Sequence, residues 1–269
     1  MRAWAGAAAG KSGKLASMAS NSEIANVLTQ ALGLAQPPVA VCLTDMLPAG
    51  VDLWSGHAPA GCRFWQEAAT RVFATTAADH GLCSIGLYTH NLGLTPAAQT
   101  DLNDALKVFA DLTYVRAEDV AAIPVLKSQP KYVVYGPLAE APLAPDVVLL
   151  FVQASQTLIL SEASQQIEAG LPPAMGRPAC AVIPQAANSG RSALSLGCCG
   201  ARAYLDVLTD AVALYAVPGP TIAAFAERID ALSKANQILQ KFHQIRRREV
   251  ESGQTPSVLQ SLAALQAER

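Results

Sequence analysis

A chain of 269 residues, of which 51% are hydrophobic and 15% charged, is long enough to bury a large core and too apolar to be disordered throughout. Its formal net charge of −2 includes no broad basic region, which argues against nucleic acid as a partner. Its apolar runs are much shorter than the roughly 20 residues that cross a bilayer, so we expect no membrane association.

The two ends of the chain differ from its middle. Residues 1–20 contain three basic and no acidic residues and lack the apolar core of a secretory signal. We expect a disordered leader or extension there, then a single α/β domain at 21–245 and a helical tail at 246–269. Without a secretory signal the expected compartment is the cytoplasm. Thiols stay reduced there, so the six cysteines indicate buried, reactive or metal-binding groups rather than three disulfides.

The first third of the chain alternates helical and strand patterns. A helix is predicted to begin at 21–22, where the side chains can cap it, and to end at Gly33. The apolar run 39–43 has the length of a strand. Residues 64–78 have a helical pattern. A further surface helix is predicted at 96–110, since a proline is tolerated in a first helical turn.

The middle of the chain carries the strongest fold signal. The runs 131–135 and 146–152 are apolar and β-branched, as is typical of buried strands. A helix at 156–169 and an apolar run at 180–183 follow, and this succession suits a right-handed parallel crossover. Another strand is predicted at 211–217. We therefore expect an α/β fold with a mixed, partly parallel sheet flanked by helices.

A long C-terminal helix is predicted after Pro220, with apolar residues at helical spacing, and it can continue to Arg248. The three arginines at 246–248 fit a solvated face near a helix C-terminus better than an anion site. The last segment carries a separate stripe formed by Leu259, Leu262 and Leu265. These C-terminal helices are candidate contacts for a homo-oligomer or a partner enzyme.

The most unusual stretch is 195–204, with the sequence SLGCCGARAY. Gly197 and Gly200 bracket Cys198 and Cys199, and glycine permits backbone conformations that are closed to other residues. Such a turn can present thiolates and amide groups to one bound object. The competing interpretation is a tight turn that buries two small cysteines.

Other cysteines also lie at the ends of predicted elements, where functional sites are commonly built. Cys62 and Cys83 flank the helix predicted at 64–78, and Cys180 opens a predicted strand. Soft thiolates select iron–sulfur clusters, zinc or copper(I), and the absence of paired short spacings argues against a zinc ribbon or a ferredoxin run. Dispersed ligands remain compatible with a cluster that the fold assembles. Cys42, inside the first strand, is expected to be a core residue.

Arg202 and Tyr204 are candidates for holding an anionic ligand or cofactor beside Cys198, together with Gly197 and Gly200. Arginine offers a planar fork of donors, and a helix N-terminus attracts negative charge. The alternative for Arg202 is a salt bridge on the surface.

Three of the four histidines, His57, His80 and His90, fall in the N-terminal half and are candidate ligands or acid–base groups. A packed or exposed histidine is the simpler interpretation of each, and His243 is expected at the surface. The sequence contains no dinucleotide fingerprint, P-loop or nucleophile elbow, which excludes the common nucleotide-binding and hydrolase classes.

Several segments together resemble the bacterial and archaeal family named domain of unknown function 169, over roughly residues 27–220. They are LAQPPVAV at 34–41, Gly61-Cys62, Cys83, YGPL at 135–138, PDVVLLF at 145–151 and SLGCCGARAY at 195–204. The resemblance implies that Cys62, Cys83 and Cys198 recur as a set, with Cys180 as a fourth member and Cys199 in a variable place. It implies no substrate.

The leading hypothesis is a cysteine-ligated metalloprotein in which Cys62, Cys83, Cys198 and Cys180 hold an iron–sulfur cluster. The cluster would serve redox or sulfur chemistry on a small molecule, as in an oxidoreductase or sulfur-transfer enzyme. Three thiolates would leave one iron open to substrate, whereas four would close the cluster. One alternative is a non-catalytic module for a small anionic ligand. Another is an accessory subunit that docks on a larger enzyme through its C-terminal helices.

Overall fold

The structure is a computed structural model and describes residues 20–58, 60–80, 83–169, 173–175 and 178–267. The leader predicted at 1–20 lies outside these residues, apart from Ser20. None of the helices in the described part of the chain combines the length and apolarity needed to cross a membrane.

One antiparallel sheet organises the molecule. Its six longer strands lie in the order β2-β3-β1-β4-β7-β6, and neighbours pair antiparallel throughout. They are β1 (Val39–Thr44), β2 (Phe73–Thr75), β3 (Tyr132–Pro137), β4 (Val147–Val152), β6 (Ala193–Ser195) and β7 (Ala213–Pro218). The two-residue strand β5 (Ala174–Met175) joins the β6 edge in parallel, the one parallel pair among the described strands, and an isolated parallel bridge joins Leu53 to Ala74 of β2.

Helices cover both faces of this sheet. They are α1 (Asn21–Leu32), α2 (Phe64–Glu67), α3 (Ser84–Thr89), α4 (Pro96–Asp111), α5 (Ala117–Ala121), α6 (Ala154–Ile167), α7 (Val182–Ser189), α8 (Ile222–Glu251) and α9 (Val258–Ala267). The predicted α/β class and long C-terminal helix are confirmed. The 30-residue α8 runs across the boundary that we predicted between a domain and a tail at residue 246.

The prediction of a partly parallel sheet built on a crossover is wrong. Residues 180–183, predicted as its second strand, belong to a 3₁₀ turn (Ala179–Ala181) and to the start of α7. Val182, Ile183 and Ala186 are fully buried, so the helix hides the same side chains that a strand would have hidden. A short apolar run satisfies either structure, and its tertiary surroundings decide between them.

The helix predicted at 64–78 is also wrong beyond its first turn. Helix α2 ends at Glu67, and strand β2 follows at Phe73–Thr75. Phe73 faces Tyr135 of β3 in the sheet register. A pairing with residues about 60 positions away thus overrides the local helical pattern.

Strand β4 shows why the core has two layers. Val148, Leu150 and Val152 pack toward α1, α6 and α8, whereas Val147, Leu149 and Phe151 belong to the core cluster on the opposite face. That second cluster includes buried side chains of α2, α3 and α7. Successive strand residues point to opposite faces, so a central strand covered on both sides must be apolar at every position.

The C-terminal helices form a hairpin with a small core of its own. Phe242 and Ile245 of α8 pack with Leu265 of α9, and Ser261 donates a hydrogen bond to the Glu249 carboxylate. The predicted leucine stripe is therefore divided, since Leu265 is buried while Leu259 is 79% exposed.

Candidate functional site

A cavity of about 370 Å³ lies where several separate chain segments meet. Its size is in the range of small-molecule sites in proteins. Cysteines from four separate segments of the chain line it: Cys62, Cys83, Cys180 and the adjacent pair Cys198 and Cys199. The structure thus brings together all four thiols that were predicted as metal ligands, and it adds Cys199.

Short turns at the ends of elements position these thiols. Cys62 is the middle residue of the 3₁₀ turn Gly61–Arg63, and Cys180 is the middle residue of the turn Ala179–Ala181. Cys83 immediately precedes α3. Cys198 precedes a single π-helical turn, Gly200–Tyr204, a structure that is frequent at functional sites.

Cys42 does not take part in the cavity. It lies on β1 in a separate small cluster with Val51, Ala74 and Val134. Burial raises the pKa of its thiol to about 12. The structure therefore places Cys42 in the core, and it provides a natural comparison for the cavity thiols.

Burial also sets the protonation of the cavity thiols Cys62 and Cys180. It raises the pKa of Cys62 to about 12, with smaller contributions from Cys83 and Cys198, and it raises the pKa of Cys180 well above its ordinary value. These thiols are consequently protonated at neutral pH. A metal that binds them must displace their protons.

Several hydrogen-bond donors point at the sulfur atoms. The backbone amides of Gly61 and Gly86 act on the Cys83 sulfur and lower its pKa, against a larger increase caused by burial. The hydroxyl of Thr89 lies 3.4 Å from the Cys180 sulfur. Donors of this kind stabilise a thiolate relative to a thiol.

Two buried histidines, His80 and His90, lie near the segments that carry the thiols. His80 Nε2 is 3.0 Å from Thr75 Oγ1, and His90 Nδ1 is 3.0 Å from the Gly86 carbonyl oxygen. The other ring nitrogen of each, His80 Nδ1 and His90 Nε2, has no hydrogen-bond partner among the described residues. Burial lowers the pKa of His80 to about 3 and that of His90 to about 4, so both rings are neutral at pH 7.

Of these two, His90 lines the cavity. His57 and His243 are both exposed and lie outside the cavity lining.

Arg202 holds its own loop. Its guanidinium donates hydrogen bonds to the carbonyl oxygens of Leu196, Thr209 and Val212. Tyr204 and Gly200 line the cavity, and Tyr204 is 74% exposed. Gly197 has a φ of 91° beside Arg202, a conformation that favours glycine. The guanidinium thus stabilises the turn that presents Cys198.

Most of the remaining lining is apolar, and this wall was not predicted. It comes largely from α4, predicted only as a surface helix at 96–110, and from the segment after it, for which we made no prediction. The lining residues are Leu102, Ala105, Leu106, Phe109, Val115 and Ile123. Its acidic members are Asp101 and Asp119, and within the described ranges no lysine or arginine lines the cavity. Also within these ranges, no three histidine, cysteine or acidic side chains are grouped closely enough to hold a single metal ion.

The comparisons with known proteins give one family. A family model described as an uncharacterised ArCR family, domain of unknown function 169 (DUF169), matches residues 27–228. No curated protein and no solved structure gives a significant match. The matched residues include every cysteine of the cavity.

Proposed function

The chain belongs to the uncharacterised DUF169 family, and from its own cavity we propose that it is a metalloprotein whose cysteines bind an iron–sulfur cluster. The cluster would serve redox or sulfur chemistry on a small molecule. Cys62, Cys83, Cys198 and Cys180 are its proposed ligands.

One observation carries this proposal. Thiols from four segments, separated by up to 137 positions, line one cavity, while the sixth cysteine, Cys42, lies elsewhere. Packing alone does not require cysteine at each of these places, because small apolar residues would fill them equally well. Soft thiolate ligands are characteristic of iron–sulfur clusters, zinc and copper(I).

The geometry favours a cluster over a single ion. A single zinc ion needs four ligands within about 2.3 Å of one point, and no three candidate side chains of the described residues form such a group. A multi-iron core spreads its ligands over several metal atoms. The lining also suits a cationic iron–sulfide core, since its thiols become thiolates on binding and no lysine or arginine of the described residues lines the cavity.

The surroundings of the sulfur atoms support the same proposal. Amide donors from Gly61 and Gly86 act on Cys83, and the Thr89 hydroxyl lies near Cys180. Hydrogen bonds to ligand sulfurs orient the ligands and tune the reduction potential of a cluster. A cavity of merely structural cysteines would not need them.

The role of Cys180 decides what the cluster does. As a fourth ligand it would close the cluster, which then suits electron transfer or a structural role. With Cys62, Cys83 and Cys198 alone, one iron would stay open to a molecule in the cavity. Cys180 is the most buried of the four thiols, and Thr89 restrains it.

The test is metal analysis of the full chain, purified without oxygen and reconstituted with iron and sulfide. We expect near-equal iron and acid-labile sulfide and visible absorption in the wild type. The variants Cys62→Ser, Cys83→Ser and Cys198→Ser should lose most of both. Cys42→Ser, a buried thiol outside the cavity, should keep them, and circular dichroism checks that each variant folds. A folded wild type that stays colourless and metal-free after reconstitution would overturn the proposal.

The second candidate is a binding module without catalysis, and the size of the cavity favours it. An anionic ligand is the less well supported version, because the Arg202 guanidinium is hydrogen-bonded to backbone carbonyls and no lysine or arginine of the described residues lines the cavity. Docking of a partner enzyme or a second copy through the C-terminal helices, where Leu259 is exposed, stays a prediction.

A further inference from the structure

The wall formed by α4 and the segment after it gives the cavity an apolar part next to the thiols. Leu102, Leu106 and Phe109 lie four and three residues apart and so share one face of α4. All three line the cavity, as does Ile123. On another face of the same helix, Val108 is 53% exposed and does not line the cavity.

This face of α4 is only partly covered by protein. Leu102 is buried, but Leu106 and Phe109 keep an intermediate exposure although they face inward. An amphipathic helix normally hides its whole apolar stripe against other protein groups. Here the cavity takes the place of part of that packing, and an apolar ligand would complete it.

The polar groups of the cavity indicate which ligands it excludes. Within the described residues, its lining offers no cationic side chain to pair with an anion. Of its two carboxylates, Asp119 is already ion-paired with Arg116 at 2.6 Å, and Asp101 is an exposed residue. Burying an unpaired charge costs far more than burying an apolar group.

We infer that the α4 wall and the thiols enclose a binding chamber for an uncharged, largely apolar small molecule. A volume of about 370 Å³ is suited to a small organic ring system rather than to a polymer. As a substrate site beside a metal centre, the chamber rests on the proposed function. As a binding site it does not need the cluster.

Three probes with one ring system test the charge preference: 2-naphthylmethanol, 2-naphthoate and 2-naphthylmethylammonium. Titration calorimetry on the full chain should show the neutral probe binding at least about tenfold more tightly than either charged probe. Tighter binding of the anion or of the cation would overturn the inference. Tighter binding of the cation would instead assign recognition to Asp101 and Asp119.

Two variants on one helix test the location. Leu106→Gln places an amide on the chamber wall and should weaken binding of 2-naphthylmethanol about tenfold or more. Val108→Gln makes the same kind of change on the exposed side of α4 and should leave the affinity unchanged. Equal affinities in the two variants would place the probe elsewhere and overturn the inference.

The metal-free and the iron-reconstituted protein are titrated side by side, so that the two proposals can fail separately. Binding to the metal-free protein supports the chamber whatever the iron analysis gives. A reconstituted protein that holds iron and sulfide, but with no probe binding in either form, would leave the cluster proposal standing and remove the chamber.

Discussion

The hydroxyl oxygen of Thr89 lies 3.4 Å from the sulfur of Cys180, which is 91 positions further along the chain. The same oxygen is 3.2 Å from the Gly86 carbonyl, and a hydroxyl has one proton to donate. His90 Nδ1, 3.0 Å from that carbonyl, can donate to it instead. The Thr89 proton is then free for the sulfur, and this bond becomes strongest when the sulfur is a thiolate.

Replacing Thr89 by valine tests whether this hydroxyl tunes a metal centre. Thr89→Val keeps the shape and removes the donor, so the reduced, more negative form of the proposed cluster would lose more stabilisation than the oxidised form. We expect the reduction potential to fall by on the order of tens of millivolts. A redox titration followed by absorption measures it. Thr157→Val, whose hydroxyl donates to the carbonyl of Gln153 just before α6, is the control and should leave the potential unchanged. Equal shifts in both variants would contradict the prediction.

The buried histidines make stability depend on pH. Burial lowers the pKa of His80 to about 3 and of His90 to about 4, whereas both groups titrate near 6.5 in the unfolded chain. The unfolded state therefore binds protons first, and the free energy of unfolding falls as the pH drops from about 6.5 toward 4. The expected loss at pH 5 is about 2 kcal/mol for each histidine.

Urea unfolding at pH 7.5, 6.0 and 5.0 measures this loss. The variant His90→Gln should lose stability at pH 7.5 but show a smaller fall between pH 7.5 and 5.0. A wild-type free energy of unfolding that stays constant over this range would contradict the burial of both rings.

Position 61 requires glycine, because the backbone there lies so close to His80 that a larger side chain would clash. A Cβ atom at position 61 would lie 2.8 Å from His80 Nδ1, closer than such atoms approach in proteins. We expect Gly61→Ala to destabilise the fold by about 1–3 kcal/mol and to weaken metal retention, since Cys62 is the next residue. Gly200→Ala, where the added atom meets nothing within 4 Å, is the matched control in thermal unfolding. Equal stability of the two variants would contradict the close packing.

We expect Arg202 to stabilise the folded state rather than to bind a ligand. Lysine cannot reproduce its fork of hydrogen bonds to three carbonyl oxygens, so Arg202→Lys should cost about 1–2 kcal/mol in urea unfolding. Arg247→Lys, at an exposed ion pair with Glu251, should change the free energy of unfolding by less than about 0.5 kcal/mol. An Arg202→Lys variant of wild-type stability that loses affinity for phosphate would instead favour the anion-binding module.

The cysteines should react in an order set by their exposure. In the metal-free protein, iodoacetamide should modify Cys199 first, because it is the exposed thiol. Cys42 should react at least about a hundredfold more slowly than Cys199, since Cys42 is buried and its pKa is raised to about 12. Peptide mapping by mass spectrometry gives both rates. Comparable rates at the two sites would show that β1 opens readily.

Local patterns in the sequence determined many of the elements. Helix α1 begins at Asn21 and is followed by Gly33 as predicted, although Ser20 caps it rather than Asn21 or Ser22. An unbroken apolar run predicts β4 as a strand buried on both faces. The position of cysteines beside glycines and element ends was enough to select four thiols that meet in one cavity. The caps, apolar runs and glycine-flanked cysteines depend on neighbouring residues along the chain, so they can be recognised without the fold.

Only the tertiary structure decided how the strands pair and what closes the cavity. A fully apolar strand is typical of parallel sheets, yet β4 lies between β1 and β7 in antiparallel register, with helical layers on both faces. Residues 180–183 became helical and α4 became a cavity wall for the same reason. An apolar residue specifies that it must be buried, whereas the partner that buries it comes from distant parts of the chain.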